Sequence, residues 1–239
     1  DMTMYLNDIP SNELQRWAEL EYERFSDMVL RIFHTELETV YEEYNMYQDQ
    51  DNSRARNKLF NLLFPNHPYG RMIIGYPEHL KKPSVKNIYE FAGTWYVPNN
   101  MAIILSGDIN YEESIRTIDQ TFGKLQYKEL PERTVVKEKP MTEPVEEVVV
   151  GPSAESVMFA FRFDEGAGSE VEKYVMLIDM ILSNSKAGLI DLNLLQQQKI
   201  LDGGCSPFFL KEMFFCIFLM LNLCVFFICF DSYSIDFFN

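Results

Sequence analysis

The chain has 239 residues, 47% of them hydrophobic and 24% charged, a balance typical of a folded globular protein and not of a disordered or fibrous one. Its 21 basic and 36 acidic residues give a formal net charge of -15, which disfavours binding to nucleic acid or to an anionic membrane surface, because both need clustered cations. All four cysteines lie between residues 205 and 229, so no disulfide framework can connect the first 204 residues.

The first part of the chain is predicted to be helical. Thr35 and Glu38 have the spacing of a capping box, in which a hydroxyl and a carboxylate satisfy free backbone amides at a helix start. Asn12 and Gln15 show the same pattern earlier in the chain. Apolar residues at helical spacing predict three helices, over residues 12–25, 36–48 and 54–64.

The part after Pro65 mixes helices with strands. Ser84 is predicted to cap a helix, and Gly123 to end another in the left-handed conformation. Predicted helices cover residues 84–96, 111–122, 170–183 and 189–199. Predicted strands cover residues 101–105, 145–150 and 156–163. This order predicts an α+β fold, with helices packed on mostly antiparallel sheets.

Turn-forming residues between 65 and 80 mark the predicted domain boundary. We expect residues 1–75 to form the helical end of one domain, and residues 76–210 to form most of a second, α+β domain. Residues 211–239 form an apolar tail rich in Phe and Cys. The run 213–230 is at the lower limit for spanning a bilayer, so the tail is either a membrane anchor or, as we favour, sequence that is not native coding sequence.

Glu36 and Glu43 are the most informative pair of polar residues. Seven residues turn a helix by about 700°, so both carboxylates lie on one face, roughly 10.5 Å apart along the axis. Val40 lies between them, and carboxylates beside apolar groups are costly to bury without a cation, a metal or hydrogen-bond donors. The alternative is an ordinary solvated face of an acidic helix.

Several short blocks resemble the pitrilysin and insulinase group of zinc peptidases, the M16 family. The stretch FHTELETVYEE around Glu36 and Glu43 is similar to the helix that supplies this family's third zinc ligand. Further similar blocks follow in the expected order: HPYG at 67–70, YVPNNMAI at 96–103 with SGD behind it, FGKL at 122–125, and the region 182–195. The resemblance implies a partial two-domain M16-like architecture, of the LuxS/metallohydrolase-like fold.

The resemblance assigns roles to two residues. It implies that Glu43 binds Zn²⁺ and that Glu36 supports the site without being a ligand. The family's other two ligands and its general base come from a His-x-x-Glu-His motif, which this sequence does not contain. A catalytic zinc site needs three protein ligands and an open position, so the zinc site is incomplete here.

The expected function is therefore that of a fragment of a zinc-dependent endopeptidase that hydrolyses short unfolded peptides and is inactive as this isolated chain. Its expected partners are a peptide substrate, a missing N-terminal segment with the zinc motif, and the second half of an M16 enzyme. We expect no nucleic acid as a partner, and we expect a membrane as a partner only if the run 213–230 is native. The alternative is a non-catalytic M16-like scaffold or peptide-binding chamber subunit. The tail would anchor this subunit to a membrane if the run 213–230 is native.

Four other residues carry simpler interpretations. We expect His67 to be a hydrogen-bonded loop residue and not a ligand, because it lies in a turn flanked by proline. His34 and His79 are expected to be exposed. Cys205 has no evident histidine partner, so nucleophilic catalysis has no support in the sequence.

Overall fold

A computed structural model describes residues 2–211 in full and the backbone of residues 215–221 and 226–231. The chain divides into two compact units. Unit 1 comprises residues 1–39 and 78–134, and unit 2 comprises residues 40–77 and 135–239. Each unit thus consists of two separate segments of the chain. The predicted division into domains at 1–75 and 76–210 stays a prediction.

Helices account for most of the regular structure in the described residues. The helices are α1 (Leu14–Ser26), α2 (Phe33–Gln48), α3 (Asp51–Leu63), α4 (Pro77–Lys81), α5 (Val85–Trp95), α6 (Tyr111–Thr121) and α7 (Glu170–Leu182). Short 3-10 turns cover Ser11–Glu13, Pro68–Gly70, Pro98–Asn100 and Phe122–Lys124, and a π turn covers Asp191–Leu195.

Five strands form one sheet in unit 2. The strands are β1 (Val145–Val148), β2 (Val157–Arg162), β3 (Gly203–Phe209), β4 (Phe215–Leu221) and β5 (Phe226–Asp231). Their order across the sheet is β1-β5-β2-β4-β3. The pairs β1–β5, β2–β4 and β3–β4 are antiparallel and β2–β5 is parallel.

Unit 1 is held together by the packing of α1 on α6. Ala18 is fully buried, and the Trp17 ring lies 6.3 Å from the ring of Phe122. A second aromatic group joins Tyr5, Phe25 and Tyr96, whose ring centroids are 5.3 to 6.2 Å apart. These contacts bury one face of α1, as its apolar spacing predicts.

Unit 2 has two hydrophobic clusters around its sheet. In the first, Leu59 and Leu63 of α3 pack with Met158 and Ala160 of β2. Leu59 and Leu63 are four residues apart and face the same way on a helix, whereas Met158 and Ala160 share one face of a strand. The second cluster is made by Phe163, Val175, Ile190, Ile200 and Cys205.

Three of the predicted helix starts are wrong in detail. α3 begins at Asp51, three residues before the predicted start. α2 begins at Phe33, three residues before the predicted start, so Thr35 lies inside the helix and accepts a hydrogen bond at its carbonyl from the Thr39 hydroxyl, 3.1 Å away. α1 begins at Leu14 and has no side-chain cap. Ser84, in contrast, caps α5 as predicted by accepting a hydrogen bond from the backbone N–H of Asn87.

Three other predicted features differ from the structure. Residues 101–105 form no strand, because no described segment pairs with them. Gly123 lies in a 3-10 turn and is not among the residues of positive φ, since α6 tightens at its end instead of stopping in a left-handed residue. The predicted helix over 189–199 is reduced to a π turn at Asp191–Leu195 and its flanks.

The predicted tail of 211–239 lies partly outside the described residues. Where its backbone is described, as β4 and β5, it pairs with β1, β2 and β3. Among the described residues, the structure has no helix whose length and apolar character suit it to crossing a membrane.

Leu59→Ala tests the first cluster of unit 2. Leu59 is fully buried, so its truncation leaves a cavity and lowers the free energy of unfolding by about 2–5 kcal/mol. Urea unfolding followed by far-UV circular dichroism measures the change. The control is Asn61→Ala, an exposed position on α3, with an expected effect within about 0.5 kcal/mol. Equal effects of the two substitutions would contradict this account of the core.

Candidate functional site

The helix α2 carries the two glutamates that the sequence singles out. Glu36 and Glu43 are both exposed, and α2 runs without interruption between them. Glu43 accepts a hydrogen bond from the Tyr47 hydroxyl, 3.2 Å from its Oε1 atom. The two carboxylates are therefore accessible on a regular helix, and their roles toward zinc stay predictions.

The described residues do not form a complete metal site. They contain no group of three or more His, Cys, Asp or Glu side chains placed to hold a metal ion. His34 and His79 are exposed and His67 is buried at 2% relative exposure. The residues present therefore do not fit a catalytic zinc ion, which takes three protein ligands.

His67 belongs to a tightly bonded turn in unit 2. Its Nδ1 atom accepts a hydrogen bond from the backbone N–H of Tyr69 at 3.2 Å, and Pro68 to Gly70 form a 3-10 turn. Gly70 is required there because an added Cβ would lie 2.1 Å from the carbonyl oxygen of Phe64. His67 is thus a hydrogen-bonded loop residue, as predicted.

The Glu138 carboxylate anchors the same turn. Its Oε1 atom accepts hydrogen bonds from the backbone N–H groups of Asn66 and His67, both at 2.6 Å, and its Oε2 atom accepts one from the Asn66 side chain at 3.0 Å. Glu138 is only 8% exposed, so these donors take the place of water around a buried charge.

Arg162, at the end of β2, lies in the same region and is 1% exposed. Its guanidinium donates hydrogen bonds to the carbonyl oxygen of Leu63 and, at 2.5 Å, to that of Lys139. It thereby connects the end of α3 and the segment around Glu138 to the sheet. No spacing in the sequence predicted this cluster, because its members are far apart along the chain.

The electrostatics of Glu138 follow from these contacts. Burial by itself would raise the pKa of the carboxyl group. The hydrogen bonds from Asn66 and His67 and the positive charge of Arg162 outweigh burial and hold the pKa below its usual value. Glu138 is therefore an ionised, buried carboxylate at neutral pH.

Asp191 is a second buried carboxylate that the sequence did not reveal. Its Oδ2 atom accepts hydrogen bonds from the backbone N–H groups of Asn184 at 3.0 Å, Lys186 at 3.2 Å and Gly188 at 3.0 Å. The bond from Asn184 is the largest of the causes that lower the pKa of Asp191. The carboxylate fixes the loop 184–188, and this role is structural.

The surroundings of Cys205 disfavour its action as a nucleophile at neutral pH. Burial, with the nearby Asp179 carboxylate, raises the pKa of its thiol to about 12. A thiol of such high pKa stays protonated, and the thiolate is the reactive form.

The chain belongs to the M16 peptidase family. The family model described as the peptidase M16 inactive domain matches residues 84–222, more than half of the chain. The match includes β2, β3 and β4, so it continues twelve residues beyond residue 210 into the predicted tail.

Curated relatives carry the name zinc protease. The chain is 27% identical over 111 residues to an uncharacterized zinc protease of Mycobacterium leprae, over 44% of this chain and 25% of the relative. It is 30% identical over 100 residues to the uncharacterized zinc protease YmfH of Bacillus subtilis, over 41% of this chain and 23% of the relative. The matched stretch therefore spans about a quarter of each relative.

Solved structures share the fold. A protease from Helicobacter pylori superposes with a TM-score of 0.76 and 18% identity, over 89% of this chain and 53% of its own. The first half of the periplasmic protease PqqL from Escherichia coli gives a TM-score of 0.64 and 19% identity, over 91% of this chain and 48% of its own. The ferredoxin protease FusC, solved with Arabidopsis ferredoxin, gives a TM-score of 0.64 and 15% identity, over 89% of this chain and 24% of its own. At these identities the likeness shows an M16-like fold alone.

Glu138→Gln tests the buried carboxylate. A carboxyl group whose pKa is lowered on folding stabilises the native state at pH values above about 4.3, the pKa of the group in the unfolded chain. This contribution is lost as the pH falls through the pKa of the group in the folded chain. We expect the substitution to cost about 1–3 kcal/mol at pH 7 and progressively less on acidification below about pH 4.

The measurement is urea unfolding at several pH values, followed by far-UV circular dichroism, which detects the backbone of unit 2 directly; both tryptophans, Trp17 and Trp95, lie in unit 1. The control is Glu143→Gln, at an exposed position. A loss at pH 7 no larger than the control's would show that Glu138 does not hold the turn.

Proposed function

We propose that this chain supplies one carboxylate ligand and most of an inactive-type domain to an M16 zinc endopeptidase that hydrolyses short unfolded peptides. In this proposal Glu43 binds Zn²⁺, Glu36 supports the site, and the His-x-x-Glu-His motif comes from outside these 239 residues. The chain by itself is then inactive as a peptidase, because one carboxylate cannot hold a catalytic zinc ion.

The observation that carries the proposal is the uninterrupted helix α2 with two exposed glutamates seven residues apart. Neither carboxylate forms an ion pair with a described residue, and Glu43 has only the Tyr47 hydroxyl as a hydrogen-bond donor. Carboxylates without a cationic partner are available to a metal ion. The names of the curated relatives, which are zinc proteases, support this metal for the family.

For the domain organisation we propose the two-domain arrangement inferred from the sequence, with the zinc-binding domain ending near residue 75 and an α+β domain following it. The pairing of β1 to β5 and the packing of α3 and α7 on this sheet support the α+β class. The second half of an M16 enzyme is the proposed partner of this chain, and the solved first half of PqqL is a relative with such a division.

A second candidate function is that of a non-catalytic M16-like scaffold or peptide-binding subunit. It is favoured by the match to the family's inactive domain and by the lack of a metal-binding group among the described residues. Membrane attachment would be part of this candidate only through the run 213–230, whose side chains lie outside the described residues.

Glu43→Gln tests the proposed zinc ligand. The chain is fused behind an M16 segment that carries His-x-x-Glu-His, and zinc affinity is measured by competition with a chelator, alongside cleavage of a quenched fluorescent peptide. We expect the substitution to weaken zinc binding by more than about 100-fold, since it removes one of three ligands. Glu36→Gln should weaken it by about 10- to 100-fold, as expected for a supporting group.

The matched control is Glu42→Gln, which removes a neighbouring exposed carboxylate that points away from the Glu36–Glu43 face. Equal zinc affinities of the Glu42 and Glu43 variants would overturn the assignment. A folded fusion that binds no zinc at all would favour the scaffold.

A further inference from the structure

Ile32, the residue before α2, has a strained backbone conformation. Its φ angle is 47°, in the left-handed region, where the branched side chain of isoleucine collides with the backbone. The residue at this position of a helix start ordinarily has an extended backbone and a polar side chain that accepts a hydrogen bond. Ile32 has neither, yet its carbonyl oxygen accepts the hydrogen bond from the backbone N–H of Glu36, at 3.1 Å, that closes the first turn of α2.

The surroundings of Ile32 explain the strain. The backbone N–H of Leu30 donates a hydrogen bond to the hydroxyl of Tyr89 on α5 at 3.5 Å, so the chain is held just before α2. From there it must turn within two residues to enter the helix. Leu30, residues 32–35, Val85 and Tyr89 line an open cavity of about 490 Å³ within unit 1. This cavity leaves space in which the first turn of α2 can rearrange.

A second helix start lies three residues further along the chain. Thr35 and Glu38 have the spacing of a capping box, but in the structure α2 passes through both residues. The carbonyl oxygen of Thr35 accepts a hydrogen bond from the Thr39 hydroxyl at 3.1 Å. Within the described part of the chain, the Thr35 hydroxyl and the Glu38 carboxylate form no hydrogen bond. The signal for a start at this point is present in the sequence and is not used.

We propose that α2 has two starts that exchange with each other. The long form is the one in the structure, which begins at Phe33. The short form begins at Glu36, with Thr35 as its cap. In the short form the Thr35 hydroxyl accepts a hydrogen bond from the backbone N–H of Glu38, and the Glu38 carboxylate accepts one from the backbone N–H of Thr35. Ile32 then leaves the left-handed region.

The free energies of the two forms differ by contributions of opposite sign. The short form loses the hydrogen bonds that the carbonyl groups of residues 32–34 accept in the long form. It gains the two bonds of the capping box and loses the strain of Ile32. Residues 34–36 are exposed, so the backbone groups released from the helix bond to water. A modest change in any one of these contributions therefore selects one form over the other.

Glu36 lies in the turn that rearranges. In the long form it is the fourth residue of α2, and its backbone N–H is bonded to Ile32. In the short form it is the first residue of the helix, where helices fray. The exchange between forms thus determines how firmly the Glu36 carboxylate is held relative to Glu43. This consequence rests on the proposed function, in which Glu36 supports the site, whereas the two starts do not depend on it.

The experiment is hydrogen–deuterium exchange of the full chain, measured at single residues by mass spectrometry with electron-transfer fragmentation. Ile32→Gly removes the strain, because glycine adopts positive φ freely, and so favours the long form. We expect the amide of Glu36 to exchange at least about fivefold more slowly in this variant than in the unsubstituted chain.

Glu38→Ala tests the capping box. If α2 had a single start, loss of a negative charge near its N-terminus would weaken the first turn and speed exchange at Glu36. With two starts, the substitution removes a bond of the short form, so the amide of Glu36 should exchange about threefold more slowly. The matched control is Glu42→Ala, at an exposed position one turn further along α2, and it should change this rate by less than about 1.5-fold.

The amide of Thr35 gives an independent readout. In the short form the Glu38 carboxylate protects it, whereas in the long form it lies before the first bonded N–H of the helix. Ile32→Gly and Glu38→Ala should therefore speed exchange at Thr35 while they slow exchange at Glu36. Fraying of a helix with one start would not change the two amides in opposite directions.

The inference is overturned if Glu38→Ala speeds exchange at Glu36 or leaves it unchanged. It is also overturned if Ile32→Gly has no effect there, or if Thr35 and Glu36 change in the same direction. None of these readouts involves zinc or cleavage. A fusion that binds no zinc would therefore remove the proposed peptidase function and leave the two starts of α2 in place.

Discussion

Unit 2 depends on two opposite charges kept out of water. Glu138 and Arg162 are each less than 10% exposed, and together they contact the end of α3, the turn at 66–67, the segment at 138–139 and β2. A buried charge is costly unless its hydrogen-bonding capacity is filled, so every one of these backbone segments must be in position before either charge is tolerated. The cluster therefore joins these segments by hydrogen bonds, in addition to apolar contacts such as those of Leu59 and Met158.

Asp191 shows the same principle on a smaller scale. One carboxylate oxygen collects three backbone N–H groups from a loop that has no regular structure to satisfy them. The chain has an excess of acidic residues, and most of those that the structure describes are exposed. Glu138 and Asp191 differ from the other acidic residues because several hydrogen-bond donors surround each of their carboxylates. The sequence does not show this arrangement, because the donors come together only in the folded chain.

The helices were predictable because their signals are local. Apolar spacing and the Ser84 cap identified α5 and most of α1, α2 and α3, and Glu36 and Glu43 shared a face by spacing alone. Residues 101–105 had an equally strong local signal for a strand, yet a strand exists only with a partner, which the described residues do not provide. The roles of Glu138 and Arg162 were not predictable, since their partners are up to 99 residues away in sequence.

The zinc proposal depends on the same distinction. A zinc site needs ligands from separate elements brought to one point, so Glu43 has meaning for catalysis only in the presence of histidines that this sequence does not place beside it. The helix face that carries Glu36 and Glu43 is therefore set by local spacing, whereas a zinc site on that face is not.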